Sequence, residues 1–115
     1  MYPSGSWDGF WVQEHYGKQR MTAFQLRFAD GEIEGEGRDV IGRFDFTGSY
    51  DMQTGEMVMM KRYIGKHVVF YRGHPDGEGS IAGTWSIGDA WKGPFLIQPV
   101  VRRPRGDEPI DELGR

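Results

Sequence analysis

The stretch RFDFTGSYDMQTGEMVMMKRYIGKHVVFYRG, residues 43–73, decides the fold. Phe44, Phe46, Gly48 and Tyr50 alternate with Arg43, Asp45, Thr47 and Ser49, the period of two that marks a strand with one buried face. Asp51-Met-Gln-Thr-Gly55 follows as a hairpin turn with glycine where φ must be positive, pairing Asp51 with Glu56. That register sets Tyr50, Gly48, Phe46 and Phe44 beside Met57, Met59, Lys61 and Tyr63. At the next turn, a two-residue Ile64-Gly65 loop would force a β-branched residue to positive φ. An odd-numbered loop ending at Gly65 avoids this and keeps His67, Val69 and Tyr71 on the same face.

Working outward, the same alternation marks eight strands: Trp7–Glu14, Arg20–Phe28, Glu32–Asp39, Arg43–Tyr50, Glu56–Tyr63, Lys66–Arg72, Ser80–Ile87 and Gly93–Gln98. Asp30-Gly31 suits a type I′ turn pairing Ala29 with Glu32. Phe28, Leu26, Phe24 and Thr22 are then expected to share a face with Ile33, Gly35, Gly37 and Asp39. Ile81, Gly83, Trp85 and Ile87 alternate with Ala82, Thr84 and Ser86. Glycine numbers 18 of 115 residues and falls in nearly every window of eight, a density that excludes long helices, since each interior glycine costs a helix ~1 kcal/mol against alanine. Inward glycines 35, 37, 48 and 83 leave room for large neighbours, as a small barrel needs. The expected fold is all-β: a single eight-stranded antiparallel up-and-down barrel over residues 1–98, with a Pro- and charge-rich tail over 99–115. Within that tail, Ile110–Leu113 reads as a short turn able to dock on the barrel or a neighbour.

The balance of 14 Lys+Arg against 17 Asp+Glu argues against a nucleic-acid partner. No apolar run approaches the ~18 residues of a membrane span, so no membrane partner is expected. Met1–Trp7 shows no basic stretch followed by an apolar core, and a cytoplasmic location is the expectation. With no cysteine there is neither a disulfide nor a thiolate metal site, and His15, His67 and His74 lack metal-ligand spacing. Gly35–Gly42 is not a dinucleotide fingerprint and Asp51–Glu56 is not a calcium loop, so no cofactor or metal is expected.

Gly5-Ser6-Trp7, Gly9-Phe10-Trp11, Gly48-Ser49-Tyr50 and Gly83-Thr84-Trp85 resemble the glycine–aromatic strand pieces of calycin-type barrels, the group of avidins, lipocalins and fatty-acid-binding proteins. In length and short turns the chain looks nearest the avidin-like members. It has no Asn and few inward hydroxyls, so no biotin-binding residues are carried over. Residues 35–97, through Gly35-x-Gly37-x-Asp39-x-x-Gly42-x-Phe44 and Lys61-x-Tyr63-x-Gly65-x-His67-x-Val69-x-Tyr71-x-Gly73, are similar to small bacterial proteins of uncharacterised function. The resemblance implies a barrel and supplies no activity.

Lys61 is the most informative residue, because an inward lysine must pair with a carboxylate, reach the rim or suffer a depressed pKa. In a meander Asp39, Thr22, Lys61, Tyr63 and His67 fall near one mouth, with Gln13 or His15, and Trp91 is placed to cap it. Phe28, Ile33, Tyr50 and Met57 close the other end. The expected site therefore comprises Asp39, Lys61, Tyr63, His67, Tyr71, Trp11, Trp85 and Phe46, binding a small apolar or amphipathic ligand with a polar head. Three other readings stay open: a purely structural Asp39–Lys61 network, an interaction module with a filled barrel, and a small isomerase- or cyclase-like enzyme with Lys61 or His67 as base. A cavity above ~300 Å³ would favour a ligand. Val58, Met60, Val68 and Phe70 point outward, with Leu96, and a homo-oligomer through them is expected.

Overall fold

The computed structural model describes residues 1–100. The expectations for the tail, including a docking turn at 110–113, lie outside the described residues for all but its first two positions. The strands are β1 (Gly5–Gln13), β2 (Gly17–Ala29), β3 (Glu32–Arg38), β4 (Arg43–Tyr50), β5 (Met57–Tyr63), β6 (Val68–Pro75), β7 (Ile81–Ile87) and β8 (Trp91–Pro99). Each pairs antiparallel with the next, and β8 returns to β1 from Trp7↔Pro99 to Trp11↔Phe95, closing the barrel. Closure satisfies the edge hydrogen bonds that an open sheet would leave to solvent.

Turn chemistry sets the register. Asp30 and Gly31 both have positive φ, 53° and 82°, and Ala29 pairs with Glu32 as a type I′ hairpin requires. In the β4–β5 turn, Asp51 Oδ1 accepts from the backbone N–H of Gln53 and Thr54, and Gly55 takes φ 81°. The β5–β6 loop is odd-numbered, but Gly65 stands at its centre and not at its end. Tyr63 and His67 flank Ile64-Gly65-Lys66, and Lys61 pairs with Val69. The side-chain parity survives, because the register moves by two residues.

One expectation fails in β2. Thr22 is exposed, and Met21 enters the core in its place. Trp7 pairs with Phe24 but Gly9 pairs with Met21, so three steps along β2 oppose two along β1. This bulge reverses the parity of the rest of β2. It lies where β2 leaves β3 and turns to follow β1.

The interior is packed with aromatic and aliphatic side chains. Leu26, Ile33, Ile81, Ile97, Phe46 and Trp7 are essentially inaccessible to water, and burying each aliphatic one contributes roughly 1.5–3 kcal/mol. The end opposite the mouth is sealed by a residue outside the strands. Tyr2 stacks among Trp7, Phe28 and Tyr50 and donates its hydroxyl to the Gly55 carbonyl. The Trp7 indole donates to Pro3 O at 2.9 Å, tying the same segment down.

The inward glycines serve two purposes. At Gly37 an added Cβ would meet the Phe44 ring at 2.6 Å, so the glycine makes room for a side chain. At Gly48 and Gly83 it would meet neighbouring backbone, Val58 O at 2.2 Å and Arg72 O at 2.0 Å. There glycine lets adjacent strands coil against each other, which side-chain repacking could not achieve. Gly48→Ala is accordingly expected to cost about 2–3 kcal/mol in urea unfolding. Gly65→Ala, strained at φ 73° but facing open space, is expected to cost about 1 kcal/mol. Equal losses would remove the distinction.

Candidate functional site

The mouth is formed by the turns between β1 and β2, β3 and β4, β5 and β6, and β7 and β8. Asp39 is the first residue beyond β3, in the turn to β4. Its Oδ1 accepts from the Ile41 N–H at 2.9 Å, closing the turn over itself. Its Oδ2 faces the barrel, accepting from the Tyr63 hydroxyl at 2.5 Å and from Lys61 Nζ at 3.3 Å. Lys61 is 6% exposed, and its ammonium lies 4.2 Å from the Phe44 ring centre and 4.8 Å from that of Tyr63. Two aromatic faces and one carboxylate thus stand in for water.

Burial pushes the Asp39 pKa upward, but the Tyr63 hydrogen bond, the Lys61 charge and the Ile41 N–H outweigh it and hold the carboxyl below its ordinary value. Burial pulls the Lys61 pKa down, opposed by the charge and hydrogen bond of Asp39. Tyr63 is raised by burial and then by its bond to Asp39; Tyr71 is raised by burial and then by the Asp39 charge. Both phenols therefore stay protonated; Tyr63 donates to Asp39, and Tyr71 keeps its donor.

Beside this cluster lies a cavity of about 140 Å³. Lys61, Tyr63, Val69 and Tyr71 line one side, Trp11, Gln13, Trp85 and Ile87 the other, and Ile41, His67 and Trp91 border its opening. Trp11 and Trp85 meet edge-to-face at 5.4 Å. The Trp85 indole donates to Val12 O at 2.9 Å, two strands away. It reaches across β8 because its cross-strand partner is Gly93, where a Cβ would stand 2.9 Å from the indole nitrogen. Tyr71 is wedged between Phe46 and Phe95, with ring centres 6.2 and 5.0 Å away, and is 4% exposed. Its hydroxyl forms no hydrogen bond with any described residue, a cost of ~1–3 kcal/mol for a buried donor.

Seven of the eight residues expected from the sequence thus converge, six lining the cavity and Asp39 holding two of them. Phe46 does not line it: it is 1% exposed and supports Tyr71 from beneath. His15 stays exposed in its turn, while Gln13 reaches the cavity. Ile41 was not foreseen; the one signal for it was a Val-Ile pair in a turn where polar residues are usual. The cavity is about half the ~300 Å³ looked for, because aromatic rings fill the rest of the interior. Among the described residues no group of His, Asp and Glu could hold a metal ion. No protein-family model matches the chain, and a search of curated proteins returns no match. What the calycin resemblance retains is therefore the closed antiparallel barrel.

Asp39→Asn keeps the turn bond but leaves Lys61 buried with a weakened partner, so it is expected to cost about 2–4 kcal/mol in denaturant unfolding. Adding Lys61→Met should restore most of the loss. The native Asp39 pKa lies below the unfolded one, so its stabilisation is complete above the unfolded value and disappears as pH falls through the native one. The acid limb of stability should accordingly flatten in the double variant. A double variant no more stable than Asp39→Asn alone would mean that Lys61 was not the strained partner.

Proposed function

We propose that this barrel binds a small ligand at its mouth, an apolar body about the size of one six-membered ring carrying a hydrogen-bond acceptor as its polar head. What carries the reading is the imbalance of polar groups around the cavity. Asp39 already accepts from the Ile41 N–H, Tyr63 and Lys61, so its acceptor capacity is largely used. Lys61 has given one of three N–H donors to a described residue, and Tyr71 has given none. The unspent capacity is donor capacity, and a carbonyl or carboxylate oxygen complements it. The indoles of Trp11 and Trp85, with Val69 and Ile87, form the apolar walls for the body. A dry cavity of ~150 Å³ accepts benzene, which sets the scale against the 140 Å³ here.

Tryptophan fluorescence titrated with benzoate, benzamide, toluene and decanoate tests this. Benzoate and benzamide should quench saturably, and decanoate, too long for the cavity, should not. Tyr71→Phe should weaken both acceptors about tenfold while leaving toluene unchanged. It should also leave stability equal or slightly higher, because it deletes a hydroxyl with no partner. No saturable response from any ring compound, or decanoate binding as tightly as benzoate, would refute the reading.

A separate observation favours self-association. Val58 and Phe70 are 42% and 52% exposed on the outer face, with Met60 and Val68 beside them, along an open groove that also includes Thr47, Thr84 and Lys92. Asp45 at its β4 edge is paired with Arg62, and Arg72 stands in the groove, so the apolar side chains carry the contact. A strip of this kind complements itself across a two-fold axis, and the partner we propose is a second copy of the chain. Sedimentation equilibrium should show a dimer that Phe70→Lys converts to monomer; a monomeric native chain would exclude it.

A further inference from the structure

All four turns at the mouth present large apolar side chains to solvent. Tyr16 comes from the first, Val40 and Ile41 from the second, Ile64 from the third, and Trp91 stands where the fourth enters β8. Their exposures run from 44% to 103%. Turns are usually polar; Tyr16, Val40 and Ile64 interrupt theirs without covering the core, while Ile41 and Trp91 border the cavity opening.

Charge is divided between the two ends as well. Lys18, Arg38, Arg43, Arg62, Lys66 and Lys92, all exposed, flank the mouth turns. The carboxylates there are Glu14, Asp89, Asp45 and Asp39. Asp45 pairs with Arg62 at 3.4 Å and Asp39 is engaged by Lys61, which leaves Lys18, Arg38, Arg43, Lys66 and Lys92 against Glu14 and Asp89. The turns at the other end read Asp30-Gly31, Asp51–Glu56 and Asp76–Ser80, with five carboxylates and no Lys or Arg. The exposed large apolar residues at that end are Met1, Met52 and Val100, with no lysine or arginine in the turns there.

From this juxtaposition of apolar turn tips and a basic collar at one end, we propose that the mouth docks on an anionic lipid surface. The tips enter the headgroup region, and the cations around them meet the lipid phosphates. Tyr and Trp are suited to that boundary, having an apolar body and a polar edge. Positive charge close to the apolar tips draws this end toward a negative leaflet, while the carboxylates of the far end are repelled and orient the barrel mouth-down. The absence of a spanning run in the sequence bears on crossing a membrane and not on lying against one. This inference does not rest on the ligand reading. It does place the cavity opening at the lipid boundary, where compact apolar molecules collect.

The test is partition of the full chain onto vesicles of roughly three parts phosphatidylcholine to one of phosphatidylserine at low salt, read by sedimentation and by tryptophan emission compared with that of Trp91→Phe. Binding with a blue shift is expected, with at least a tenfold loss in high salt or on pure phosphatidylcholine. Val40→Asp with Ile64→Asp, both at exposed sites that leave the core intact, should weaken partition tenfold or more; Met52→Asp at the far end should not. No partition onto anionic vesicles would overturn the proposal. Equal binding to neutral vesicles, or loop variants that bind like the native chain, would do the same. Retention on a soluble polyglutamate matrix that survives the two loop substitutions, without vesicle binding, would instead identify an acidic protein as the partner of the collar.

Discussion

The ladder from Trp7↔Pro99 to Trp11↔Phe95 is the constraint on which the remaining structure depends. By joining the last strand to the first it turns one face of an eight-stranded ribbon into an interior with no edge. Every inward residue must then be apolar, be glycine, or find a partner without water. Lys61 is the residue on which that demand falls hardest. Its position on β5 lets the side chain run along Phe44 and Tyr63 to the one carboxylate that the β3–β4 turn holds over the barrel. Asp39 in turn is held by the bond to the Ile41 N–H, so a local turn motif anchors a long-range ion pair.

The two ends of the barrel resolve closure differently. At the far end four aromatic rings from different segments, Tyr2, Trp7, Phe28 and Tyr50, fill the taper and exclude water. At the mouth the indoles of Trp11 and Trp85 meet edge-to-face, and the space they leave is bounded by polar groups. That asymmetry has an energetic basis. Apolar side chains gain by packing to solid density, whereas an ammonium and a phenol cannot be overlaid by hydrocarbon without losing hydrogen bonds. A small cavity therefore survives where the polar groups are, and the same end carries the exposed apolar tips and the basic collar.

Much of the fold was legible because parity propagates. Asp30-Gly31, Asp51–Gly55 and Gly65 each bind one strand's inward set to the next, and the last two suffice to put Phe46, Lys61 and Tyr71 on one face. The loop around Gly65 was misplaced by one residue at its end without harm, since a shift of two in register preserves parity. The β2 bulge was not legible: Met21-Thr-Ala-Phe24 has no glycine, proline or turn residue other than threonine to mark it. It lies within the β1–β2 ladder, where Gly5–Trp7 and Gly9–Gln13 meet β2 in registers one residue apart, while the β2–β3 ladder runs unbroken. Tyr2 escaped notice for a related reason, since a residue before the first strand has no parity to read.

By itself, the order of residues determined the strands, their meander, the inward lysine and the carboxylate available to meet it, because each follows from local periodicity or the geometry of a short turn. Only the tertiary structure decided how much space is left inside and which donors lack a partner. Free volume is a difference between rings brought together from distant strands, as with the Trp85 indole crossing Gly93 to Val12 and Phe46 backing Tyr71 away from the cavity. Such differences depend on the angle at which strands coil, which no run of neighbouring residues specifies.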